Sequence, residues 1–110
     1  MDSVFPDMIR SLPQADVDIK GASLFVLQST DHQLVFMEFE NDVILPEHEH
    51  SDQWEHVVSG KVDLTMNGMI RTYQKGESFF VPEGCAHSGK IYAGYASIAL
   101  FHQKDRYLIK

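Results

Sequence analysis

The chain has 110 residues, 44% of them hydrophobic, and a formal charge of −7. That length suits one domain with a single core, and the acidic balance excludes a nucleic-acid footprint, which needs clustered Lys and Arg. No run of 18 apolar residues exists to make a membrane-spanning helix.

Cys85 is the only cysteine, so no intrachain disulfide can form. The segment from Met1 to Asp7 lacks the basic start and apolar stretch of a signal peptide. Both absences predict a cytoplasmic protein.

Residues 1–20 hold two prolines and mixed polarity, and read as an N-terminal arm with one short helical turn near residues 7–12. Residues 21–110 then form the domain proper, with 103–110 as a last strand or a short C-terminal extension. Its β-like runs are 22–28, 34–40, 53–58, 61–66, 69–73, 78–81 and 97–101. Turn-forming pairs such as Ser59-Gly60, Asn67-Gly68 and Ala93-Gly94 separate them. Short strands at such spacing predict an all-β sandwich or barrel. In 61–66 polar and apolar residues alternate into Asn67-Gly68, the favoured pair of a two-residue type I′ hairpin turn. No segment sustains a helical apolar period over ten residues.

The chemistry concentrates in three of the six histidines. His48 and His50 are two apart in an extended segment, so both imidazoles face the same way. Gly76 is followed after five residues by Pro82-Glu83-Gly84-Cys85-Ala86-His87, a proline–glycine turn that delivers a third imidazole. Three neutral imidazoles suit a borderline divalent ion such as Zn, Ni, Fe or Mn. A site with an oxygen ligand added and a position left open is catalytic in kind, not purely structural.

These residues resemble the cupin family. Its first motif runs glycine, five residues, His-x-His, three or four residues, glutamate, six residues, glycine. Its second runs glycine, five residues, Pro-x-Gly, two residues, histidine, three residues, asparagine. The second matches from Gly76 through Pro82 and Gly84 to His87, with Ile91 in the asparagine place. The first matches at His48 and His50, with Asp42 in the leading glycine place. The resemblance spans roughly residues 30–102 and implies an all-β double-stranded β-helix, or jelly-roll, barrel holding one divalent metal ion. It also implies a homodimer.

The ligand normally supplied by glutamate has two candidates. With six residues between it and Gly60 lies Gln53; with four residues between it and His50 lies Glu55. Both share the inward face of one strand, one of them a layer nearer the histidines. The strand entering Gly60 has fixed register, which favours Gln53, and several small cupins use glutamine there. Glu55 is then a general acid/base near the metal, or the ligand in place of Gln53.

The stretch from Phe39 to Gly60 is also similar to small cupins of pectin and alginate degradation, which open unsaturated uronate rings. Those carry an acidic residue and an arginine on the last strand. Here the acidic place holds Ala99, and Arg106 lies one residue from the arginine place. The expected site is therefore His48, His50, Gln53 and His87 on the metal, with Glu55 as acid/base and Arg106 as carboxylate clamp. The resemblance implies an isomerase- or lyase-type enzyme acting on a small polar sugar-like or keto-acid metabolite. An Fe(II) or Mn(II) dioxygenase and a non-enzymatic sugar-binding module are the alternatives.

Other residues have plainer expectations. Trp54 and His56 alternate outward from Gln53 and Glu55, Trp54 towards a subunit or sheet interface. His32 and His102 are surface residues. Phe36, Tyr73, Phe79, Tyr92 and Phe101 are core, with Phe101 nearest the open end. Cys85 fills space in its loop, and Gly76 and Gly84 serve turns needing positive φ.

Overall fold

The computed structural model describes residues 3–110. One helical turn, α1 (Asp7–Arg10), precedes nine strands: β1 (Ala22–Gln28), β2 (Gln33–Phe39), β3 (Val43–His48), β4 (Gln53–Ser59), β5 (Lys61–Met66), β6 (Met69–Gln74), β7 (Ser78–Val81), β8 (His87–Ile91) and β9 (Ala96–Phe101). They form two antiparallel sheets, ordered β1-β2-β9-β4-β7 and β3-β8-β5-β6. This is the expected all-β jelly-roll barrel, with the core between the sheets.

Alternation in the sequence sets the two faces. Along β2, Gln33, Val35, Met37 and Phe39 are buried while the residues between them are half-buried. Along β4, Gln53, Glu55 and Val57 are buried and Trp54 is exposed. Apolar side chains in such positions each stabilise the fold by roughly 1.5–3 kcal/mol. The β5–β6 hairpin turns at Asn67 (φ 53°) and Gly68 (φ 74°), the two positive φ values of a type I′ turn.

Cross-strand pairing stacks the inward side chains in rows. One row of the larger sheet holds Gln33, Phe101, Gln53 and Val81. The next holds Val26, Val35, Ala99, Glu55 and Phe79. Leu24, Met37, Ser97 and Val57 follow. On the smaller sheet, His48, His87 and Met66 make one row, and Val43, Ile91, Val62 and Tyr73 the far one.

Two strands depart from the sequence reading. β3 carries Pro46 and a bulge between Leu45 and His48, where its register against β8 shifts. β8, with Ser88-Gly89-Lys90 at its centre, lacks apolar alternation. His48 is thus the last residue of a strand and His50 lies beyond it, so the pair does not share one continuous strand. The arm packs closely: Phe5 and Ala15 are buried, Phe5 stacks edge-on against Phe36, and Ala15 bridges to Ile109 in the tail. Tyr92 is not core. It lies on the outer face, its hydroxyl donating to Asp63 and its ring under the ammonium groups of Lys61 and Lys90.

Candidate metal centre

The bulge in β3 decides where His48 points. Leu45 faces inward opposite Gly89, and unbroken alternation would turn residue 48 outward. Two residues of β3 oppose one of β8, which resets the parity and sets His48 against His87. His87 opens β8 directly after the Pro82–Ala86 turn, where Gly84 has φ +73°. That turn is tied to the first motif, since the Gly84 N–H donates to the His50 carbonyl and the Glu83 N–H to Asp52.

The three imidazoles converge, with one ring nitrogen from each lying within 4.8 Å of the others. Each ring is oriented by a backbone carbonyl: Nδ1 of His48 on Pro46 (2.8 Å), of His50 on Ser51 (2.8 Å) and of His87 on Cys85 (2.9 Å). A carbonyl can only accept, so each Nδ1 carries the proton and each Nε2 presents its lone pair. Backbone contacts of this kind fix the tautomer of metal-binding histidines. Burial lowers the pKa of His50 to about 4, with Arg106 and the other two imidazoles adding to the effect. Burial also lowers that of His87, followed by His48 and Arg106. Neutral imidazoles with aligned lone pairs fit a divalent cation.

Gln53 and Glu55 are both buried on the inward face of β4. Gln53 pairs with Phe101, whose ring sits 5.5 Å from that of His50, whereas Glu55 lies one row farther in. No carboxylate among the described residues joins the histidine cluster. The Gln53 amide N–H donates to Glu55 Oε1 at 2.6 Å, and the Tyr95 hydroxyl donates to Oε2. Among the described residues no donor reaches the Gln53 carbonyl oxygen. Ser97, fully buried, faces the same carboxyl without a well-formed hydrogen bond. Burial raises the Glu55 pKa, against the opposing pull of Tyr95, Ser97 and Gln53. Tyr95 escaped the sequence reading; a lone tyrosine after a Gly94 turn carries no periodic signal.

A cavity of about 290 Å³ adjoins the histidines, and among the described residues Glu55 is the one carboxylate lining it. Ala99, the place of the expected acid, is completely buried and directly opposite Glu55 on the neighbouring strand. Arg106 also lines the cavity. Its guanidinium lies over the rings of Tyr107 (4.6 Å) and Phe101 (5.6 Å), and its Nε is buried without a partner. Trp54 is exposed, and His32 and His102 stack on each other at the surface, 4.5 Å apart.

The cupin domain family model matches residues 35–91, just over half of the chain and all of the segment from β3 to β8. The chain is a cupin. No curated protein sequence matches it. Among solved structures, the cupin is similar to KdgF from Halomonas sp., with 24% identity, a TM-score of 0.70, and coverage of 84% of this chain and 88% of that one. It is also similar to an RmlC-like cupin from Shewanella frigidimarina, with 24% identity, a TM-score of 0.74 and coverage of 88% and 87%. A single-substitution variant of oxalate decarboxylase from Bacillus subtilis superposes with a TM-score of 0.72 at 17% identity, covering 87% of this cupin and 28% of that chain. At these identities the similarity establishes the fold. The cupin barrel with its three-histidine site is a metal-binding arrangement, and no described helix is long and apolar enough to cross a membrane.

Proposed function

We propose that this cupin is a divalent-metal-dependent enzyme of isomerase or lyase type acting on a small acidic metabolite, a keto acid or sugar acid. The observation that carries the reading is the convergence of three imidazoles beside a cavity that, among the described residues, also holds one carboxyl, Glu55, and one guanidinium, Arg106. His48, His50 and His87 would hold the ion with Gln53, whose amide N–H is committed to Glu55 and whose carbonyl oxygen is thereby left free. Such an ion acts as a Lewis acid on a carbonyl or hydroxyl oxygen. Arg106 binds the substrate carboxylate through its planar N–H fork, held flat by Phe101 and Tyr107. Glu55 takes a proton from one substrate atom and returns it to another. Its raised pKa brings both protonation states closer to neutral pH, where a general acid/base is most effective.

The Ala99 position bears on the same role. Directly paired residues on neighbouring strands have Cβ atoms about 5 Å apart, so a carboxyl at 55 reaches much of the space that one at 99 would occupy. Ring opening of an unsaturated uronate is the sugar-acid form of the reading, and isomerisation or cleavage of a 2-oxo acid the keto-acid form. The test is turnover of candidate keto and uronic acids by metal-loaded protein under anaerobic conditions. Glu55→Gln should lower kcat roughly 10²-fold or more with metal retained, and Glu55→Ala combined with Ala99→Asp should recover part of it. Activity that requires O₂, or that survives Glu55→Gln, overturns the assignment.

The homodimer is proposed through the outer face of the larger sheet. There Leu27, Leu34, Leu100, Trp54 and Phe80 form one cross-strand row. Four of these large apolar side chains are exposed, and the row carries no charge on a chain of net −7. Light scattering should give the mass of two chains for the parent and of one for Trp54→Glu with Phe80→Glu; a monomeric parent refutes it.

A further inference from the structure

We infer that the ligand of this cavity has an apolar body behind an anionic head: a short-chain carboxylate or 2-oxo acid, not a polyhydroxylated sugar acid. The inference rests on the proposed reading only in that the metal face and Arg106 receive the head. Its own support is the division of the cavity into a polar end and an apolar end.

The polar groups collect at the histidine row. His48 and His87 face each other there, His50 packs on Phe101, and Gln53 pairs with Phe101. The backbone of Tyr107, next to Arg106, is held by Gln33 in the same row. Glu55 stands one row in. Away from the histidine row the described lining side chains other than Glu55 are apolar: Phe79 beside Glu55, then Leu24, Met37, Phe39, Leu64 and Ile91. From Met66, opposite His87, to Val62, opposite Ile91, β5 advances four residues, about 13 Å from the histidine row to the far row, of which about 7 Å lies beyond the Glu55 row.

A sugar acid laid in this chamber would bury hydroxyls against side chains that offer neither donor nor acceptor, and their lost hydration would go uncompensated. An alkyl or branched chain meets the walls without that cost. The volume of about 290 Å³ lies at the small end of ligand sites, which suits a compact metabolite. The Arg106 guanidinium, which lines the cavity and lies over Phe101 in the histidine row, fixes the polarity of binding: head at the histidines, tail towards Val62 and Ile91.

The experiment is calorimetric titration of zinc-loaded and metal-free protein with pyruvate, 2-oxobutanoate, 2-oxopentanoate, 2-oxohexanoate and galacturonate. Affinity should rise about threefold to fourfold per methylene, then level off as the tail reaches the far row, and galacturonate should bind more weakly than 2-oxopentanoate. Leu64→Phe should make the rise level off at a shorter chain, with Val62→Phe as a second variant if the first melts early. A flat series, tighter binding of galacturonate, or no binding of any acid overturns the inference. The two readings fail separately. A rise along the series with no gain from zinc leaves the apolar chamber and removes the metal as anchor. Zinc-dependent binding of pyruvate with a flat series does the reverse.

Discussion

The contact between Tyr95 and Glu55 offers the sharpest energetic test of the site. Tyr95 is 1% exposed and Glu55 5%, and the phenol donates to Oε2 while Gln53 donates to Oε1. Tyr95→Phe removes one of those two donors and little volume. A buried hydrogen bond to a charged group is worth roughly 1.5–3 kcal/mol, and one to a neutral group about half that. For a domain of this size 1 kcal/mol moves Tm by about 4 °C, so the variant should melt about 6–12 °C lower when Glu55 is ionised and less when it is protonated. Circular-dichroism melts of metal-free parent, Tyr95→Phe, Glu55→Gln and the double variant complete a cycle, and the two changes should be strongly non-additive. Because Glu55 in turn holds the Gln53 amide, Tyr95→Phe should also weaken zinc binding severalfold. A variant melting within about 1 °C of the parent, with additive effects, refutes the network.

Gln53→Ala should lower zinc affinity far more than Glu55→Ala, whose loss is the severalfold one of an unanchored Gln53 amide, as read by competition with a chromophoric chelator; the opposite order would make Glu55 the ligand. The pH dependence of stability follows from the raised pKa of Glu55. The unfolded chain releases that proton near pH 4.5 and the folded chain holds it longer, so stability present below 4.5 is lost as pH rises through the folded value. The Tm advantage of metal-free Glu55→Gln over the parent should therefore grow with pH above 4.5, and a constant difference contradicts the burial argument. Gly60 has φ +70° and its missing Cβ would lie 2.7 Å from the Tyr95 Cα. Gly60→Ala should cost roughly 1–3 kcal/mol in urea unfolding and displace Tyr95; an unchanged midpoint shows that the turn gives way.

Much of the barrel was legible because strand alternation survives wherever one face is buried. The runs at 22–28, 61–66 and 78–81 coincide with β1, β5 and β7, and Asn67-Gly68 announced its own turn chemistry. β3 was hidden because Pro46 and a bulge break its period, and β8 because Ser88, Gly89 and Lys90 offer no apolar alternation. The same bulge that hides β3 is what turns His48 inward. His48, His50 and His87 could be singled out by residue type and spacing. Their tautomers could not, since these depend on where the Pro46, Ser51 and Cys85 carbonyls fall. Gln53 and Glu55 could be placed on one inward face, yet the bond between them and the hydroxyl of Tyr95 arise from tertiary packing alone. Tyr92 misled the reading because an aromatic ring is apolar enough for the core but here lies under two lysines on the outer face.

Elemental analysis of zinc-reconstituted protein after exhaustive dialysis tests the central claim most directly. The account predicts one ion per chain in the parent and almost none when His50→Ala and His87→Ala are combined. Stoichiometric zinc in that double variant, or none in the parent, would contradict it.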